Sequence, residues 1–135
     1  MAEDRNFTLK IITPERVFYE DTEVTMVEFN TTEGEVGIYA RHVPTTLIVS
    51  PGILTITKDG AVKNAALHAG FAEILQDRVT ILAEIIEWPD EIDLKRAESA
   101  YNRAKERLEK KSGDTDVIRA EIALKKSIAR INVLK

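Results

Sequence analysis

At 135 residues, 44% of them apolar, the chain can build one domain with a sizeable core or two small ones. No apolar run is long enough to span a bilayer and no signal peptide is present, so a soluble chain outside the usual secretory route is expected, and the absence of cysteine excludes disulfides, thiolate metal sites and thiol chemistry. The net charge of −4 conceals a split, −9 over residues 1–92 against +5 over residues 93–135, which reads either as a basic tail seeking an acidic surface or an anion, or as plain charge variation between domains.

Phe7, Leu9 and Ile11 alternate with polar residues, the spacing of a half-buried strand, and Thr13-Pro14-Glu15-Arg16 interrupts it. Short apolar runs follow at Val17-Phe18-Tyr19, Val24 to Phe29 and Val36 to Tyr39, parted by Glu20-Asp21-Thr22 and by a turn through Gly34. Thr45 to Val49 and Ile53 to Thr57 flank Ser50-Pro51-Gly52, and Lys58-Asp59-Gly60 reads as a hairpin turn into Ala61 to His68. Gly70 to Leu75 and Val79 to Ile86 complete the series, joined by Gln76-Asp77-Arg78. Short strands at about ten-residue spacing with turn residues between them describe an antiparallel β-sandwich or barrel. Trp88-Pro89 closes it. The expected class is α+β, with an antiparallel sandwich over residues 1–88, a linker over 89–92 and an antiparallel two-helix hairpin over 93–135.

The hairpin is written as a repeat. Asp93-Leu94-Lys95-Arg96-Ala97-Glu98 is answered 23 residues later by Asp116-Val117-Ile118-Arg119-Ala120-Glu121. Each Asp can accept the free N–H groups of a first helical turn, a cap worth about 1 kcal/mol, and Ser112-Gly113 is the natural stop between the two helices. At 100° per residue the facing stripes are Leu94, Ala97, Ala100, Tyr101, Ala104 and Leu108 against Val117, Ala120, Ala123, Leu124, Ser127, Ile131 and Leu134. Facing alanines predict a close but thin seam. The back of the first helix is polar (Lys95, Ser99, Asn102, Glu106), whereas that of the second carries Ile118, Ile122, Ala129 and Val133. The second helix therefore needs another apolar partner, in this chain or in another protein.

Enzyme chemistry finds little support. The two histidines, His42 and His68, have no partner at a ligand or catalytic spacing and read as structural. No glycine-rich phosphate loop, nucleophile elbow or metalloprotease motif is present. The helices instead carry two basic edges, Arg96, Arg103 and Arg107 on one and Arg119, Lys126 and Arg130 on the other. These suit either polyphosphate, whose oxygens match guanidinium forks, or plain solvation.

Glu35-Val36-Gly37-Ile38, His42-Val43-Pro44, Ser50-Pro51-Gly52-Ile53-Leu54, Ala69-Gly70-Phe71-Ala72-Glu73, Val79-Thr80-Ile81-Leu82-Ala83 and the Asp93/Asp116 repeat together resemble the epsilon subunits of F-type ATP synthases, in order and over nearly the whole chain. The family often has Gly-Gly-Phe where this chain has Ala69-Gly70-Phe71. The resemblance implies a non-catalytic rotor-stalk subunit of a proton- or sodium-translocating synthase. Its sandwich would bind the gamma subunit and the c-subunit ring at the cytoplasmic face of a bacterial plasma membrane. Its hairpin would pack on the sandwich in one state and, in the other, extend among the alpha and beta subunits to block ATP hydrolysis. Ile92-Asp93-Leu94-Lys95-Arg96-Ala97 is similar to the Ile/Leu-Asp-x-x-Arg-Ala pattern associated with ATP binding in bacterial members. By position it implies an ATP site of Glu87, Ile92, Asp93, Arg96, Ala97, Lys126 and Arg130. Lys126 stands where the pattern has Arg, keeping the charge without the bidentate fork. ATP enters here as a regulatory ligand; no cofactor, catalytic residue, metal site or nucleic-acid partner is expected. The alternative reading is a free-standing β-sandwich adaptor that binds a partner protein through its hairpin.

Overall fold

The computed structural model describes residues 5–110, 113 and 116–135. Eight strands come first: β1 (Phe7–Ile12), β2 (Val17–Val24), β3 (Met26–Thr31), β4 (Gly34–Tyr39), β5 (Thr45–Val49), β6 (Gly52–Lys58), β7 (Ala61–Ile74) and β8 (Arg78–Glu87). A 3₁₀ turn at Pro89–Glu91 leads to α1 (Leu94–Lys110) and α2 (Val117–Val133). Ser112 of the expected stop lies outside the described residues, and Gly113 is exposed.

The strands roll into a sandwich in the order β2-β1-β8-β7-β5-β3-β4, with β6 bridging β3 and β7. Pairing is antiparallel except between β1 and β8, which run parallel from Thr8↔Arg78 to Ile12↔Leu82. Inside lie alternate residues of each strand, among them Leu9, Ile11, Val27, Phe29, Leu54, Ile56, Ile74 and Ile81, as the period of two requires. β2 runs on through Glu20-Asp21-Thr22 rather than ending there. Its polar side chains face outward, and Asp21 accepts hydrogen bonds from Lys58 Nζ (2.7 Å) and the Glu23 amide (2.8 Å).

The two runs either side of Ala69 form one 14-residue strand, β7, with a bulge in its middle. Leu67 pairs with Ile86 and Ala69 with Ile85, so His68 is the extra residue. The slip reverses the phase on both strands. Ala65 and Leu67 point into the core before it and Ala72 and Ile74 after it; on β8 the inward set changes from Val79, Ile81 and Ala83 to Ile86. Gly70 closes the bulge at φ +139°, and a Cβ there would lie 2.0 Å from the Leu82 carbonyl oxygen, so only glycine fits. The consequence is local and decisive: Ala66, His68 and Glu87 turn away from the sandwich core and toward the helices.

α2 lies against β6 and β7 and pairs with α1 along its length. The buried seam is as thin as the alanines predict, with Ala97, Ala104, Ala120 and Ser127 enclosed, while Leu94 and Val117 at the helix starts remain partly exposed. The rear stripe of α2 divides. Ala129 is buried, but Ile118 is 72% exposed and Ile122 42%. Of the two partners the sequence left open for this stripe, the sandwich supplies one for the end of α2 nearer the C-terminus, while Ile118 stays largely and Ile122 partly open to solvent.

Candidate functional site

Both helices begin as the repeat predicts. Asp93 Oδ1 accepts the Arg96 amide at 3.2 Å and Asp116 Oδ1 the Arg119 amide at 3.0 Å. The approach to α1 is pinned to the sandwich. Trp88 stacks on Phe18 with ring centroids 4.3 Å apart, and Glu91 accepts two hydrogen bonds from Arg16 Nη2, at 2.7 and 3.0 Å, and one from the Trp88 amide at 2.9 Å. Those donors, the backbone amide foremost, hold the Glu91 carboxyl below its usual range. Lys63 adds a cation over the Trp88 ring at 5.6 Å. These contacts fix where the first helix starts.

That placement opens a cavity of about 480 Å³ at the junction of β8, α1 and α2, large enough for a nucleotide-sized ligand. Six of the seven residues that the sequence pattern implied meet in its wall: Glu87, Ile92, Asp93, Arg96, Ala97 and Arg130. Lys126 does not line it, although its charge reaches His68 behind the wall. Arg107 and Arg119, on the same helix edges, stay exposed and outside it.

The cavity also takes in Glu91, Ala100 and Arg103, which the pattern did not name. Arg103 was legible, since seven residues after Arg96 is two helical turns and the same face. Glu91 was not, because its place depends on the 3₁₀ turn. Among the described residues no carboxylate pairs with the guanidinium of Arg96 or Arg103, so two planar cations face the cavity with their donors unspent. Arg130 differs: its Nε donates to Glu87 Oε1 at 2.7 Å, tying α2 to the end of β8. His68 Nε2 lies 2.9 Å from the same oxygen, and the imidazole is 1% exposed. Burial pushes His68 below its ordinary range; Glu87 opposes this, and the cations of Arg130 and Lys126 add to it. His42, by contrast, makes only a local contact, Nδ1 to the Val43 carbonyl at 2.7 Å. No group of three or more metal-ligating side chains gathers among the described residues. Three arginines and an apolar floor from Ala97 and Ala100 suit a polyanion with an attached uncharged ring, while the three carboxylates of the wall are already engaged, Glu87 with Arg130, Glu91 with Arg16 and Asp93 with the Arg96 amide.

The family model described as the beta-sandwich domain of the ATP synthase delta/epsilon chain matches residues 6–89, and that described as its long alpha-helix domain matches residues 90–135. The ATP synthase epsilon chain of Caldanaerobacter subterraneus subsp. tengcongensis is 44% identical over 131 residues, which cover 96% of this chain and 94% of that one. The epsilon chain of Clostridium novyi is 42% identical over 96% of this chain and 98% of its own length. The fold is also similar to a chain in the Euglena gracilis mitochondrial ATP synthase structure of OSCP, F1 and c-ring, with a TM-score of 0.84 at 23% identity, covering 97% of this chain and 82% of that one. Matched nearly end to end by both family models and by these relatives, the chain belongs to the epsilon chains of ATP synthase, subunits of that complex.

Proposed function

We propose that the chain is a non-catalytic rotor-stalk subunit that joins gamma to the c ring through its sandwich and restrains ATP hydrolysis through its hairpin, with ATP in the junction cavity favouring the docked hairpin. Family membership sets aside the free-standing adaptor. One observation carries the regulatory part: the cavity wall is drawn from β8, α1 and α2 together. A site drawn from all three is complete only while the hairpin is docked, so its ligand binds that state and shifts the equilibrium toward it. Arg96, Arg103 and the terminal nitrogens of Arg130 suit the phosphates, and Ala97 and Ala100 offer an apolar surface to the base. In the released state α2 would carry Ile118 and Ile122 to the alpha and beta subunits. No helix among the described residues is long and apolar enough to cross a membrane, which fits attachment to the cytoplasmic face through the complex.

The test is a titration of the isolated chain with ATP, followed by Trp88 emission and by product analysis. Trp88 donates its amide to Glu91, a residue of the cavity wall, so filling the cavity should change its emission. ATP should bind and remain intact. Arg96→Ala removes a charge-assisted donor without touching the Asp93 cap, and should weaken binding by about 10- to 100-fold. Equal titrations of parent and variant would refute the site.

A further inference from the structure

The geometry points to His68 as the positioning residue of this site: a neutral imidazole that fixes Glu87 against Arg130 and makes docking of the hairpin responsive to protons. Glu87 ends β8, and its carboxylate can only accept. Nε2 must therefore carry the hydrogen in the 2.9 Å contact to Oε1. Nδ1 is then a bare lone pair, and it is the one buried side-chain nitrogen or oxygen without a partner among the described residues. An imidazolium would place a second N–H at that spot with nothing to receive it.

The bulge makes this arrangement conditional. His68 is the extra residue of β7 and faces away from the sandwich core, so α2 is what covers it. Charged groups that bear on it are Glu87 from β8 and Arg130 and Lys126 from α2. Of these only Glu87 favours a proton on the ring. Lifting the hairpin removes both cations and the cover, leaving Glu87 alone beside the ring, so the undocked imidazole takes up a proton more readily than the docked one. Docking must then expel a proton wherever the undocked ring is charged, so the docked state weakens as pH falls through the titration of the undocked ring and is unaffected once that ring is neutral. Glu87 in turn spends Oε1 on His68 and on Arg130 Nε, leaving the two terminal nitrogens of Arg130 for a ligand. Without His68 the carboxylate can turn into the cavity and compete for the arginines that the phosphates need.

The part of this inference that concerns ATP rests on the nucleotide reading; the part that concerns docking does not, and the experiment separates them. The full chain, free of natural cysteine, is labelled with a donor and acceptor dye at Val43→Cys and Ile118→Cys, both exposed sites. Energy transfer is followed from pH 8 to pH 5.5 without nucleotide. The parent's docking constant should fall by up to about tenfold across that range. His68→Gln keeps a donor at the Nε2 position but cannot titrate, and should give a flat profile. Identical profiles for the two, flat or sloping, overturn the assignment. At pH 8, His68→Leu should bind ATP about tenfold more weakly than the parent, with His68→Gln recovering most of the loss. Equal affinities in all three would remove the positioning role. A parent that binds no ATP would refute the nucleotide reading while leaving the docking comparison to decide on His68. Should His68→Leu not fold, ¹⁵N shifts of the parent ring settle the tautomer: Nε2–H alone at pH 7.5 is expected, and an imidazolium there overturns the proposal.

Discussion

Ile118→Ser with Ile122→Ser tests the two-state reading most directly, because the structure sets what each state can lose. Full burial of an isoleucine stabilises by about 1.5–3 kcal/mol. In the docked hairpin Ile118 is 72% exposed and Ile122 42%, so most of that stabilisation has not been used. Replacement should cost the docked state about 1–2.5 kcal/mol, whereas a state that encloses both side chains among alpha and beta would lose about 3–6. The lower helix propensity of serine weighs on both states, since α2 is helical in each, and cancels. The difference, about 2–3 kcal/mol, moves the balance toward docking by roughly 30- to 150-fold. Complexes reconstituted with the double variant should hydrolyse ATP faster than those with the parent, and their ATP synthesis should be unchanged, which controls for assembly. The isolated variant should keep its helical circular dichroism and still bind ATP, more weakly in proportion to the docking it has lost. Unchanged inhibition would show that Ile118 and Ile122 meet nothing in the inhibitory state, and the reasoning from their exposure would fail.

Three further outcomes follow from the same geometry. Residues 1–88 should fold alone in urea titrations, because the entire core cluster lies between Phe7 and Trp88, and complexes carrying only this part should synthesise ATP but hydrolyse it faster than intact ones. In that truncated form His68 loses its cover, so NMR should find it titrating near its ordinary value, above its value in the whole chain. Gly70→Ala should lower stability by at least about 2 kcal/mol by chemical denaturation, since the added Cβ meets backbone rather than a side chain that can move; an unchanged midpoint would mean that the bulge relaxes freely.

Local signals were legible in the sequence where one element determined them. Alternation placed most strands, Asp93 and Asp116 announced both helix starts, and the alanine stripes located the seam. Glu20-Asp21-Thr22 misled because a polar run inside an exposed strand looks like a turn until Lys58 is seen to hold Asp21. The parallel contact between β1 and β8 joins residues about 70 apart, and nothing local encodes it. The site divides in the same way. Asp93, Arg96 and Ala97 lie in one short pattern. His68 does not, because its role depends on a one-residue slip that turns it outward, on Glu87 across the ladder and on Arg130 from the last helix.

That dispersed construction bears on how the hairpin can act as a switch. Its seam with α1 and its seat on the sandwich enclose mainly Ala97, Ala104, Ala120, Ser127 and Ala129, side chains of one carbon or one carbon and a hydroxyl. Each removes little apolar surface from water, so docking gains far less than a leucine-packed interface of the same length would. A ligand at a hundred times its dissociation constant adds about 2.7 kcal/mol to the state that binds it. That increment weighs more against an alanine seam than it would against a leucine seam. The same weakness would let one ion pair, Arg130 to Glu87, and one buried proton site, His68, bias the position of a helix 17 residues long. Small residues at the seam are therefore what would let a ligand in the cavity, as proposed, govern the hairpin.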